Sequence, residues 1–211
     1  MNHFVAEPHV GYALKKQRMT AEEFLAWDDT QIIKHEFVRG EVFMMAGGED
    51  RNATVAGNLY IALRLHLRGT PCHVYNSDVK LRVEAADCYF YPDLMVTCSA
   101  TDAADRLIKR EPMLVVEVLS PSTAAFDRGD KFADYRQLPS LREYLLVDVQ
   151  RRRCELYRMG ADGLWVLYPT QEEQALVFAS VGLTLQTTEL WSDMESDVPA
   201  AATSATASAA L

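Results

Sequence analysis

Hydrophobic and polar positions recur along this chain with two different periods, and each change of period marks an element. Thr20 before Ala21-Glu22-Glu23 places an acid three residues on, a capping-box pattern that predicts a short helix to about Trp27. Phe37 to Phe43 alternates about Arg39-Gly40 and predicts two paired strands joined by a turn. Val55, Leu59, Ala62, Leu63, Leu65 and Leu67 predict a helix from about Asn52 to Arg68, stopped by Gly69-Thr70-Pro71. From Cys72 the period becomes two: Val79, Leu81 and Val83 face one way, Asp78, Lys80, Arg82 and Glu84 the other. Tyr89 to Val96 reads as a further strand interrupted by Pro92. Met113 to Leu119 is almost wholly apolar, as a strand buried on both faces would be.

After Pro121 the pattern predicts a helix, roughly Phe126 to Gln137, and then a second buried strand, Tyr144 to Val149. Strand, helix, strand at this spacing implies a crossover unit. The expected fold is therefore α/β, a mixed central sheet flanked by helices. Cys154 to Met159, Leu164 to Tyr168 and Leu183 to Gln186 are weaker strand candidates at its periphery. Residues 1–18 read as a flexible lead-in and 19–197 as the folded domain. Residues 198–211, almost only Ala, Ser and Thr, read as a disordered tail.

Composition narrows the class. With 211 residues, 49% hydrophobic and 24% charged, the chain has the balance of one globular domain. No run approaches the roughly 18–20 apolar residues of a membrane span, and the N-terminus does not read as a secretory signal. Cys72, Cys88, Cys98 and Cys154 form no Cys-x-x-Cys pair, which argues against a structural zinc site and a disulfide scaffold and fits a reducing cytoplasm. Lys plus Arg is 21 against 30 Asp plus Glu, a net charge of -9. A duplex-coating protein is expected to be basic, so this balance weighs against a nucleic-acid role unless the carboxylates hold cations. Serine-hydrolase elbows, phosphate loops and His-Glu-x-x-His are absent from the sequence. The aromatic residues follow the apolar pattern and read as core.

Two carboxylates sit where carboxylates are normally excluded. Glu117 lies inside the most buried-looking strand, and Asp93 is set between Tyr91-Pro92 and Leu94-Met95-Val96. Taken singly, Glu117 reads equally well as half of a structural ion pair, while Asp93 reads far more often as a plain Pro-Asp turn. Taken together on neighbouring strands, they converge on one spot and need a cation or a shared proton there. Magnesium suits one or two carboxylates plus water. Asp127, Lys131 and Tyr135, spaced four apart, lie along one helical face that can carry Lys131 over the two acids; the plainer reading is an Asp127–Lys131 surface pair.

Tyr91-Pro92-Asp93, Val116 to Thr123, Asp127, Lys131 to Tyr135 and Glu143 to Asp148 together resemble the Uma-type restriction endonuclease family of the PD-(D/E)XK nuclease superfamily. His35 to Val42 and Gly57-Asn58-Leu59 resemble its opening segment, and the likeness runs from about Met19 to Leu190. It implies a restriction-endonuclease-like fold and hydrolysis of phosphodiester bonds in nucleic acid, DNA in particular. The implied ion is Mg (or Mn), held by Asp93, Glu117 and the backbone carbonyl of Val118. Leu119 stands where the superfamily has its lysine, and Lys131 matches the lysine this family draws from the following helix. Glu41, or with less weight Glu36, would be the additional acid. Relatives often carry a histidine near the place of Asn52. Lys80, Arg82, Arg128 and Arg136 are candidate phosphate contacts, though for each singly a solvated face is the more ordinary reading. A homodimer is compatible with cutting two strands. The alternative is a binding module that keeps the fold without turnover, which the -9 charge favours.

Overall fold

The computed structural model describes residues 18–45, 47–171 and 173–194. The expected tail, 198–211, lies outside the described residues, as does the expected lead-in apart from Arg18. The chain runs α1 (Ala21–Asp28), β1 (His35–Val38), β2 (Glu41–Met44), α2 (Asp50–His66), β3 (His73–Asn76), β4 (Lys80–Val83), β5 (Cys88–Phe90) and β6 (Leu94–Thr97). It continues α3 (Ala100–Ala104), β7 (Ile108–Lys109), β8 (Leu114–Val118), α4 (Ala124–Arg128), α5 (Asp130–Tyr135) and β9 (Glu143–Asp148). Last come β10 (Arg153–Met159), β11 (Trp165–Thr170), β12 (Ala175–Phe178), β13 (Leu183–Gln186) and α6 (Thr187–Leu190).

A six-stranded sheet, β11-β10-β9-β8-β6-β3, forms the centre, and a five-stranded sheet, β2-β1-β5-β4-β7, stands beside it. β8 and β9 are parallel and joined through α4 and α5, while the other pairings of the central sheet are antiparallel. The expected mixed sheet with its crossover is thus present. Its two faces differ in cover. On one, Val116, Leu145 and Val147 pack with Val55, Leu59 and Leu63 of α2 and with Leu176 and Phe178 of the β12–β13 hairpin. On the other, Val115, Tyr144 and Leu146 meet Phe132 and Tyr135 of α5 and Phe90 of the second sheet. α1 closes the second sheet, its Phe24 stacked on Phe37 at 5.1 Å. Both halves of its capping box form: Glu23 N–H donates to the Thr20 hydroxyl, and Thr20 N–H to the Glu23 carboxylate.

Besides the short α3, β7, β12 and α6, which the sequence pattern does not predict, the structure departs from that pattern in four places. Pro92 does more than interrupt a strand: lacking an N–H, it ends the ladder of β5, and the chain crosses into β6 of the other sheet. The helix expected over Phe126 to Gln137 breaks at Gly129 into α4 and α5. A Cβ at Gly129 would fall 3.1 Å from the Ala125 carbonyl oxygen, so glycine permits this close approach. The charged face of β4 is turned inward, because the second sheet is covered on both sides: Lys80 pairs with Asp28 at 2.9 Å, and Arg82 is buried. Finally, Cys72 and Cys98 form a disulfide.

That disulfide corrects the expectation from cysteine spacing. Antiparallel pairing of β3 with β6, His73 opposite Thr97, brings together two cysteines 26 residues apart, a juxtaposition no local motif signals. The cysteine argument for a reducing compartment falls with it. Cys88 and Cys154 are buried free thiols, each pushed up to about 12 by burial, with Asp134 adding to the shift at Cys88. The oxidised native protein is therefore expected to show no fast thiol towards a thiol-specific disulfide reagent at pH 8, and two after denaturation. Rapid labelling of either before unfolding would contradict their burial.

Among the described residues no helix is long and apolar enough to cross a membrane.

Candidate active site

The two sheets meet where the chain passes from one to the other, at Tyr91-Pro92-Asp93. Leu94 pairs with Val116 in antiparallel register, so the residue before Leu94 comes level with the one after Val116. Asp93 and Glu117 therefore stand side by side. Val118 N–H donates to Asp93 Oδ2 at 2.6 Å, fixing one oxygen of this carboxylate. Glu117 is 4% exposed, and its Oε1 accepts from the Tyr135 hydroxyl at 2.8 Å.

Lys131 from α5 leans over this pair. Its Nζ lies 3.0 Å from Glu117 Oε1, 3.1 Å from Glu36 Oε1 and 3.8 Å from Asp127 Oδ1. Glu36 comes from β1 of the neighbouring sheet and also accepts from Tyr91 N–H at 3.2 Å. Two further contacts hold α5 and α4 in place. Arg39, in the β1–β2 turn, bonds Asp134 at 2.8 Å, and the Tyr144 hydroxyl donates to the Asp127 carbonyl at 3.0 Å. The break at Gly129 leaves Asp127 and Lys131 on one face of their two short helices.

Three carboxylates thus surround one ammonium, with Asp93 beside Glu117, at the floor of a cavity of about 1040 Å³. Burial pushes Asp93, Glu117 and Asp127 above the usual carboxylate range, Glu117 furthest, with Lys131 opposing each shift. Burial alone would depress Lys131, but Glu117, Glu36 and Asp127 together hold it well above its ordinary value. The site carries more buried negative charge than its own cation balances. Among the described residues, no three His, Cys, Asp or Glu side chains already form a metal cage. Adjoining carboxylates such as Asp93 and Glu117 are donors of the kind a hard ion takes, one or two at a time with water.

The other predicted residues scatter. Glu36, not Glu41, is the acid that reaches Lys131; Glu41, two pairs along the hairpin opposite Val38, is exposed and does not line the cavity. Lys80, Arg82, Arg128 and Arg136 do not line it either. Arg82 bonds Asp87 at 2.9 Å, Arg128 grips Glu155 at 2.8 Å, and Arg136 lies 4.9 Å over the Phe132 ring. Asn52, at the family's histidine position, donates to the Leu119 carbonyl at 3.1 Å and so docks α2 on the end of β8. The reading of aromatic residues as core fails for Phe43, part-exposed on the cavity wall and in no core cluster, whereas Tyr60 and Phe126 pack against the core and also line the cavity, part-exposed. Alternation in β2 carries a signal for Phe43, since it pairs directly with Glu36.

The fold and this cluster define an α/β protein of the restriction-endonuclease-like class. A profile described as "Uma2: Putative restriction endonuclease" matches residues 21–189, and the chain belongs to that family. Uncharacterized protein slr1290 of Synechocystis sp. is 37% identical over 167 residues, covering 79% of this chain and 88% of the relative. Uncharacterized protein sll1609 of the same organism is 35% identical over 159 residues, 74% of this chain and 90% of the relative. A crystal structure described as a putative nuclease belonging to DUF820 from Anabaena variabilis superposes with a TM-score of 0.70 at 14% identity, covering 82% of this chain and 98% of that one. That likeness shows the fold.

Proposed function

We propose that this protein is an endonuclease that hydrolyses phosphodiester bonds in DNA with the help of Mg or Mn. The observation that carries the reading is the convergence of Glu36, Glu117 and Asp127 on the ammonium of Lys131, with Asp93 paired in register beside Glu117. Asp93, Glu117 and the Val118 carbonyl would hold the ion. When bound, a divalent ion acidifies water and neutralises charge developing on the phosphate. The chain's own groups do the rest. Tyr135 and Lys131 fix Glu117 from one side, leaving its second oxygen for the ion, and Val118 N–H does the same for Asp93. Lys131 stands beside the two acids, where an ammonium orients a water and stabilises the anionic phosphorane-like oxygens. Membership of a family described as restriction endonucleases supports the same chemistry.

Circular DNA, single-stranded or plasmid, has no ends and so reports internal cutting. Wild type is expected to linearise a circle in Mg and to lose this in chelator, and Asp93→Ala is expected to cut at least about 10²-fold more slowly. Equal cutting by Asp93→Ala would overturn the site. Metal-independent binding without cutting would leave the alternative, a nuclease-fold binding module, which the -9 net charge favours.

A further inference from the structure

The proposed reaction needs one phosphodiester at the floor of the cavity, and the walls bear on what kind of strand can deliver it. Among the described residues lining the cavity, Lys131 is the one cation, set against Glu36, Glu49, Asp93, Glu117 and Asp127. Much of the remaining basic surface is also neutralised. Lys34 pairs with Asp78, Arg110 with Asp105 at 2.8 Å, Arg128 with Glu155 at 2.8 Å and Arg151 with Asp148 at 2.9 Å. A rigid duplex engages proteins chiefly through a track of phosphates met by Lys and Arg, and the described residues that line the cavity offer no such track. The floor is also recessed, with Asp127 at 3% and Lys131 at 5% exposure.

The walls present flat hydrocarbon instead. Phe43 reaches the cavity from β2, Tyr60 from α2 and Phe126 from α4, each part-exposed. Phe43 is the telling one. It stands directly across from Glu36, whose carboxylate holds Lys131 at 3.1 Å, yet it belongs to none of the three core clusters. Phe126 precedes Asp127 in the chain and meets Phe90 edge-on at 6.3 Å, leaving its remaining surface towards the cavity. Part-exposed aromatic faces beside a phosphate-handling centre are the stacking platform that single-strand binders use, where each base supplies a π-face.

Resting on the nuclease reading, we infer that the site takes an unpaired nucleic-acid strand, stacking a base on Phe43 beside the scissile phosphate, in preference to a duplex. A cavity of about 1040 Å³ has room for one or two nucleotides with their bases turned out of any stack. Affinity then comes from stacking more than from phosphate contacts, which reconciles a nucleic-acid site with a net charge of -9.

The test is fluorescence anisotropy of the full chain in Ca²⁺ with a labelled 12-nucleotide DNA strand, its RNA counterpart and the same DNA strand in duplex, integrity being checked on a gel. The unpaired strands should bind at least about 10-fold tighter than the duplex, with a shallow dependence on salt. Phe43→Ala should remove most of that preference, weakening strand binding by about 10-fold, while Phe43→Trp keeps it; both should retain the wild-type melting temperature. The DNA and RNA arms decide which strand is preferred. Equal or tighter duplex binding overturns the inference, as does unchanged strand affinity in folded Phe43→Ala or no binding of any strand. If strand preference holds but no DNA is ever cut, the nuclease reading fails and the strand site stands.

Discussion

Replacing Glu117 by Gln is expected to abolish metal-dependent cleavage, by about 10³-fold or more, while leaving the protein as stable as wild type or more so. The first effect follows from the proposed function, in which Glu117 is one of the two carboxylates that would hold the ion beside the phosphate. The second follows from burial. Glu117 is 4% exposed, and burial raises its pKa well above the ordinary value, so the folded state binds its proton more tightly than the unfolded chain does. Its contribution to stability is therefore complete below the unfolded pKa and falls as pH rises towards the raised folded one. Gln removes that decline, still accepts from Tyr135, and leaves Lys131 its Glu36 partner at 3.1 Å. Urea midpoints at pH 5 and pH 8 beside an endpoint cleavage assay check both halves. A variant that unfolds and dies together would show Glu117 to be a structural member of an ion pair.

Lys131→Met is expected to behave in the opposite way. It keeps the volume of the side chain but removes the one ammonium among Glu36, Glu117 and Asp127, leaving buried carboxylates uncompensated. The loss should be about 3–5 kcal/mol at pH 8, the usual consequence of breaking a buried pair from one side. The pH dependence has a definite sign. The folded Lys131 pKa is raised, so its stabilisation is present below the unfolded lysine pKa and is lost only as pH climbs through the higher folded value. In the variant the already raised pKa values of Glu117 and Asp127 lose the opposing effect of Lys131 and rise further, so acidification should protonate these two groups more readily and recover much of the lost stability by pH 5. Denaturant titration in chelator measures it directly. A loss independent of pH would mean that the carboxylates were never held by this charge.

The residues that dominate both predictions stood out in the chain because they broke its pattern. Glu117 interrupts a run of apolar residues that ends up wholly buried in β8, and Asp93 follows the one proline that a strand there cannot absorb. Lys131 was legible from its spacing to Asp127 and Tyr135, even though Gly129 splits the helix that the spacing implied. Glu36 and Glu41 illustrate what was not legible. They lie five apart on adjacent strands of one hairpin, and only its docking beside the central sheet decides which of them meets Lys131. Lys80 and Arg82 failed for a related reason. Alternation correctly put them on one face of β4, but that face is covered by α1 and its partners, so charge there is paired with Asp28 and Asp87 rather than solvated.

The main strands and helices, the crossover, the family and the three chemically unusual residues were thus written in the chain itself, because burial and hydrogen bonding impose local periods that any reader of the sequence can follow; the short α3, β7, β12 and α6 were not. Which acid completes the cluster, which cysteines join, which cations are spent and which aromatic rings face a cavity were decided only when two sheets came together. Those are contacts between residues far apart in sequence, and their partners depend on where whole layers dock, which no local period encodes.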